Sequence, residues 1–328
     1  MFKKEYFMKP ITLKLLIMVL ICVSSLTALA QDPGKLESGL SGRIQGGAFF
    51  LQSDSQLLVT DSDSINTNLE GPVERYDEFS AIASVYLHYQ FESGTAIYAG
   101  NPMEIGEGLS LNAGVIQPLG DTSLDVAFTW LPINEVWKNP YRTNAAREKS
   151  DADVYGIRLK LLTIEGSRWE AEYDLERIDI DEDEIGGTED DLKRTGWSHE
   201  LGLKYTFPFR QGGVIRPEIT YTYGDMDGHS NSYHGLDAGI LLQQNSQPWI
   251  FIGRVSGFYN KYQKTHPIFD KTRQEGGISA FVQAIRLNLF GVERLFASLA
   301  AGYVWSDANI DFFDSQTVVG LASVGINF

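Results

Sequence analysis

The sequence predicts an all-β protein: a transmembrane antiparallel up-and-down β-barrel of about 14 strands, with 12 as the alternative count. Three observations predict it: an N-terminal export signal, a two-residue alternation of apolar and polar side chains, and connections that are alternately short and long. Successive side chains of a strand point to opposite faces, so a sustained period of two sets each segment between an apolar medium and a wettable one.

The signal comes first. Lys3, Lys4, Lys9 and Lys14 precede the apolar run Leu15 to Val23, and Ala28-Leu29-Ala30 offers small residues for cleavage before Gln31. The apolar run is too short to span a bilayer comfortably. Residues 1–30 therefore read as a signal peptide, 31–38 as a short periplasmic segment and 39–328 as the barrel. Cys22, the single cysteine, lies within the signal behind Ile21, not behind the small residue a lipidation site needs. The processed chain then holds no cysteine, which excludes disulfides and thiolate metal sites. The formal net charge is −16, and loss of four lysines and Glu5 with the signal takes it to −19. Such a surface excludes nucleic acid as a partner and argues against polybasic attachment to anionic lipid.

The alternation is plain in Phe79–Phe91, where Phe79, Ala81, Ala83, Val85, Leu87, Tyr89 and Phe91 share one face. It is clearest in Arg168–Leu175: Trp169, Ala171, Tyr173 and Leu175 oppose Glu170, Glu172 and Asp174. In the preceding segment Tyr155, Ile157, Leu159 and Leu161 oppose Gly156, Arg158 and Lys160. Folding these two about Glu165-Gly166-Ser167 sets Lys160 opposite Glu172 and Arg158 opposite Asp174. The other strands are expected at Leu40–Leu51, Thr95–Gly100, Gly108–Gln117, Ser123–Leu131, Gly196–Phe207, Val214–Gly224, Tyr233–Gln243, Pro248–Asn260, Gly276–Phe290, Arg294–Ser306 and Ser315–Phe328. The count of 12 arises because Thr95–Gly100 is short and Gly276–Phe290 alternates poorly.

Short turns near Glu92–Gly94, Pro118–Thr122, Glu165–Ser167, Pro208–Gly213, Gln244–Gln247 and Gly291–Val292 interleave with long loops. The loops lie near Gln52–Glu78, Asn101–Glu107, Pro132–Asp153, Ile178–Thr195, Asp225–Ser232, Lys261–Glu275 and Asp307–Asp314. Short periplasmic turns and long extracellular loops are the pattern of outer-membrane barrels. Aromatics flank both ends: Tyr89, Phe91, Trp169, Phe207 and Trp249 beside short turns, and Phe79, Trp130, Tyr155, Trp197, Tyr221, Tyr223, Tyr259, Tyr303 and Trp305 beside long loops. Amphipathic rings favour the two bilayer interfaces. A soluble β-sandwich has no need of two girdles.

The last strand alternates and ends with Val324, Ile326 and Phe328, which resembles the terminal signal by which such barrels are recognised for assembly. The resemblance to outer-membrane barrels in general covers the whole processed length. A narrower one is carried by Val136-Trp137-Lys138-Asn139-Pro140-Tyr141, the stretch Arg147 to Asp153 and the hairpin after it. These residues resemble a proteobacterial family of porin-like outer-membrane barrels of unknown function. The resemblance implies an envelope location and a barrel; it brings no activity and no site residues.

The polar face offers Arg43, His88, Arg158, Lys160, Glu170, Glu172, Asp174, Glu200, Lys204, Arg216, Glu218, Asp237 and Arg254 as lumen residues. They line a charged passage or pair into a network that stiffens and closes the wall. An interior of this size falls between the side-chain-filled eight-stranded barrels and the open large porins. The segment before the first strand is too short for a plug, so an obstruction has to come from the long loops. The loop Ile178 to Arg194 gathers Asp179, Asp181, Glu182, Asp183, Glu184, Glu189, Asp190 and Asp191 around Gly186-Gly187. Its spacing is not that of a Ca²⁺ loop. It reads as a solvated face drawing cationic solutes to the mouth, and no metal or cofactor is expected. His229-Ser230-Asn231-Ser232 has the residue types of a hydrolytic centre but reads as turn chemistry. His199 falls on the lipid-facing parity beside Trp197.

These observations point to a passage for small hydrophilic solutes, alternatively to a closed structural or adhesion barrel that binds a partner through its loops, and last to an envelope hydrolase. Outer-membrane lipid and lipopolysaccharide, the barrel-assembly machinery and periplasmic chaperones are the expected partners. The oligomeric state is not legible.

Overall fold

The computed structural model describes residues 38–59, 68–71, 75–101, 110–131 and 135–328; the signal peptide and most of the periplasmic segment expected from the sequence lie outside them. Fourteen strands run up and down in sequence order. They are β1 Gly39–Ser53, β2 Tyr76–Gln90, β3 Ala96–Gly100, β4 Leu111–Leu119, β5 Thr122–Leu131, β6 Lys149–Leu162 and β7 Trp169–Ile180. The second half comprises β8 Gly196–Tyr205, β9 Gly213–Met226, β10 Tyr233–Ser246, β11 Trp249–His266, β12 Lys271–Leu287, β13 Leu295–Ala308 and β14 Ser315–Asn327. Each pairs antiparallel with its neighbours in sequence, and β14 pairs with β1 from Arg43↔Asn327 to Ser53↔Thr317. The sheet therefore closes on itself and leaves no edge. Among the described residues no helix is long and apolar enough to cross a membrane. Strands do the crossing, as backbone groups in hydrocarbon require.

The wall is inside out relative to a soluble protein. Ile44, Val85, Ile157, Leu159, Leu201, Ile240, Leu242, Val255, Val282, Leu299 and Val324 point outward and are exposed, while Gln45, Ser84, Arg158, Lys160, Lys204, Gln243, Ser279 and Ser323 point inward and are buried. That is the partition the alternation foretold. The hairpin of β6 and β7 has the expected register, Lys160↔Glu172 and Arg158↔Asp174. Its turn is tight, with Thr163, Glu165 and Gly166 all at positive φ.

Both doubtful strands are present, so the count is 14 and not 12. β3 has five residues and pairs with Tyr86–Gln90 and Asn112–Ile116. β12 pairs along its length with β11 and β13. Its weak alternation has a physical cause: the lumen on this side takes aromatic rings laid against glycines of the next strand. Phe281 lies over Gly302, Phe296 over Gly325 and, across the barrel, Tyr98 over Gly114, where a Cβ would stand 2.6 Å from the ring. Such rings lie flat against the wall.

Several strands run further than the alternation shows. A tilted crossing needs about 9–11 residues, yet β11 has 18 and β12 has 17. The expected loop Lys261–Glu275 is thus mostly a projecting hairpin. β6 begins at Lys149 within the expected loop Pro132–Asp153, and the three-residue strand Glu135–Trp137 pairs with it. β7 reaches Ile180, and the loop after it folds a short helix, Glu184–Thr188. Exposed Lys261, Gln263, Lys264 and Thr265 lie beyond the girdle residue Tyr259, so this part of β11 stands clear of hydrocarbon.

Candidate functional site: the lumen and its roof

The charged lumen positions gather on one arc, β5 to β11. At its centre Glu172 on β7 receives Lys204 of β8 and, at 3.5 Å, Lys160 of β6. The three side chains are no more than 5% exposed. Two strands on, Arg254 of β11 bonds Glu218 of β9 and Asp237 of β10, the latter at 3.1 Å. Its other nitrogen donates to Ser256 Oγ at 3.1 Å. Tyr98 donates to Asp125 Oδ1 at 2.8 Å. Buried charges persist where partners and hydrogen bonds satisfy them, and removing one partner strands the other. Arg216 is buried in the same arc, and Glu170 faces Lys204 in register. On the opposite side Arg43 donates to Asn327 Oδ1 at 3.1 Å and lies over Phe296, and His88 sits 3.5 Å from Ser41 Oγ.

Three lumen carboxylates stand apart. Asp174 on β7 is directly opposite Glu200 on β8, and Glu176 is the next inward residue of β7. Each is half-buried, and no ion pair or hydrogen bond joins them to another side chain among the described residues. Like charges set opposite each other in a sheet are unfavourable. On its other side Asp174 faces Arg158 of β6 in register, so the carboxyl cluster borders the paired charges.

Above the lumen the long loops meet. The loop after β5 and the hairpin of β11 and β12 stand nearly opposite one another in a ring of 14, yet Tyr141 Oη and His266 Nε2 are 2.9 Å apart. Around them Ile185, Leu192, Ile310, Phe312 and Phe313 form a buried apolar cluster, with Leu57, Leu69 and Phe269 packed on it. Five loops contribute. Trp137, 1% exposed, donates its indole N–H to the Leu58 carbonyl at 2.9 Å. Arg147 stacks on that indole at 4.2 Å and donates to the Gln56 carbonyl at 2.8 Å, which pins the loop after β1 to the loop after β5. Arg273 lies 3.7 Å over the Phe313 ring and pairs with Glu275. Burial, with Arg273 adding to it, pushes the His266 imidazole down to about 4. Burial also lowers the Arg147 guanidinium to about 10 and raises the Tyr141 phenol to about 12.

The acidic loop packs against this roof through Asp183 and Asp191, while most of its carboxylates face water. Asp183 caps the helix and takes a pair of bonds from Arg194, at 2.8 and 3.1 Å. Glu182 pairs with Lys138, Asp191 with Lys264 and Asp190 with Lys193. Asp179, Asp181, Glu182, Glu184, Glu189 and Asp190 are exposed. Among the described residues no group of three or more such side chains is arranged to hold a metal ion. Near His229, Ser230 donates to the Asp191 carbonyl and Ser232 to the Met226 carbonyl. Asn231 donates to the Leu192 carbonyl at 2.9 Å. These bonds tie the turn to the acidic loop.

Arg158, Lys160, Glu172, Lys204, Arg216, Glu218, Asp237 and Arg254, expected on the polar face, are buried, and the roof's shared apolar interior was not among the expectations. Its signal was present: Ile310, Phe312 and Phe313 are large apolar residues in a loop otherwise exposed to water.

The structure resembles solved outer-membrane proteins at low identity. The COG4313 outer membrane channel of Pseudomonas putida F1 matches at 10% identity and a TM-score of 0.45, covering 91% of this chain and 100% of that one. OmpT of Vibrio cholerae matches at 7% and 0.44, covering 90% and 99%, and the channel DcaP of Acinetobacter baumannii at 9% and 0.43, covering 91% and 99%. No curated protein matches the chain. Residues 39–328, the whole barrel, match the model of one family, and the chain belongs to it: DUF2860, the protein of unknown function.

Proposed function

We propose that the protein is an outer-membrane channel for small hydrophilic solutes, favouring cations, whose outer mouth is roofed by its own loops. The observation that carries this reading is the gathering of Asp174, Glu176 and Glu200 on a wall whose other charges are largely joined in ion pairs. A wall built only for rigidity gains nothing from opposed carboxylates, whereas a passage gains a local excess of cations. In this reading the signal is cleaved before Gln31, and the assembly machinery recognises outward-facing Val324, Ile326 and Phe328 on the closing strand. The test is conductance in planar lipid bilayers. The wild type is expected to conduct in brief steps and to prefer potassium over chloride; a folded protein that never conducts, even with Tyr141 and Phe312 both changed to Ala, overturns the proposal.

The roof favours a second reading, a closed barrel whose joined loops present one surface to an outside partner. That reading predicts no conductance from either protein.

A further inference from the structure

Outward positions in the hydrocarbon belt are apolar all round the barrel, but near the long-loop end one arc, β7 to β11, departs from this. It carries Arg177, Trp197, His199, Tyr221, Tyr223, His234 and Lys261 on its outer face. Two of the chain's five histidines are here. Elsewhere the outward girdle residues include Phe79, Trp130, Tyr303 and Trp305.

The two histidines are held in the same way. Tyr173 Oη lies 2.8 Å from His199 Nδ1, and Tyr221 Oη lies 2.7 Å from His234 Nδ1. The Tyr223 ring stands between the imidazoles, stacked on His199 at 5.9 Å and on His234 at 5.0 Å. A phenol that donates to Nδ1 leaves the proton of the neutral ring on Nε2, and the imidazolium carries one there as well. With that tautomer the arc presents two N–H donors, with the Arg177 guanidinium stacked on Trp197 at one end and the Lys261 ammonium at the other. Asp153 and Asp179 on this face lie nearer the loops, and Asp225, level with Trp197, accepts from the Tyr223 hydroxyl at 3.3 Å. Donors and cations at headgroup depth, with aromatic faces beside them, match an anionic headgroup whose acyl chains run down the apolar wall.

We propose that the outer face of β7–β11 at the long-loop girdle is a binding site for the phosphates of an outer-leaflet glycolipid of the lipid A class. Imidazole Nε2–H groups of His199 and His234 donate to phosphate oxygens, and Arg177 and Lys261 supply the charge.

The test is native mass spectrometry of the full barrel in detergent, titrated with bisphosphoryl lipid A, enzymatically dephosphorylated lipid A, phosphatidylethanolamine or inorganic phosphate. Bisphosphoryl lipid A is expected to remain bound at least tenfold more than either other lipid. The His199→Phe/His234→Phe variant keeps both rings and removes the donors, and should lose that tenfold preference. Arg177→Gln/Lys261→Gln lies at exposed ends and repeats the test if the first variant does not fold, folding being read from the compact migration of unheated protein on gels. Equal retention of dephosphorylated lipid A, unchanged preference in a folded variant, or displacement by equimolar inorganic phosphate each overturns the proposal. None of these readouts depends on conductance.

Discussion

Tyr141 and His266 are 125 residues apart in sequence and come from loops on nearly opposite sides of the barrel, yet their Oη and Nε2 atoms lie within 2.9 Å over the mouth. Their rings meet edge to face at 5.1 Å. The pair is the clasp of the roof. Tyr141→Phe keeps the ring and leaves a buried imidazole nitrogen without its partner, at a cost of about 1–3 kcal/mol to roof closure. Longer open times in single-channel records are expected; unchanged gating would show that the clasp does not hold the roof.

Acidity should act on the same clasp. His266 is held neutral down to about pH 4 with the roof shut, against an ordinary value of 6.5. The open form therefore binds more protons between these values, and closure is favoured fully above pH 6.5 and loses ground as pH falls toward 4. Below about pH 4 both forms are protonated and the dependence ends. Open probability measured from pH 7.5 to 4 should rise; His266→Gln should flatten the profile.

Glu172 serves two lysines. Glu172→Gln leaves Lys160 and Lys204 without their shared carboxylate in a nearly waterless part of the wall. A loss of about 3–5 kcal/mol is expected, read as a lower urea midpoint for unfolding from detergent micelles.

By contrast, Asp174→Asn and Glu200→Gln remove charges that oppose each other. Stability should hold or rise slightly, and the reversal potential in a salt gradient should move toward zero. A cation preference left intact in the double variant would place the selecting groups elsewhere.

Filling one glycine should narrow the bore. A side chain at Gly302 collides with the Phe281 ring, so Gly302→Val is expected to swing that ring toward the axis and lower conductance without preventing folding. Adding Phe281→Ala to Gly302→Val should restore it.

The membrane-spanning part of the wall was legible because two media press on every residue there. Trp169 to Leu175 and Tyr155 to Leu161 show contrasting faces, and that contrast alone fixed the pairing of Lys160 with Glu172. Where water lies on both sides the contrast vanishes. Lys261 to His266 and Lys149 to Asp153 are strands whose outward residues are polar, so they read as loops. The roof left only isolated apolar residues in the sequence, for another reason. Tyr141, Phe269 and Phe312 come together through contacts far apart in the chain, and no local period announces them. The poor alternation of β12 is legible only beside β13, since Phe281 takes its place from Gly302.

A roof with one shared interior ties the histories of its loops together. On most barrels an exposed loop is free to drift alone under immune or phage pressure. Here a change at Phe313 is felt at Tyr141, Phe269 and Arg273, so the surface shown to antibodies must vary as a set. Grafting a single loop from a divergent homologue should leave the graft open to protease, whereas moving all five together should not.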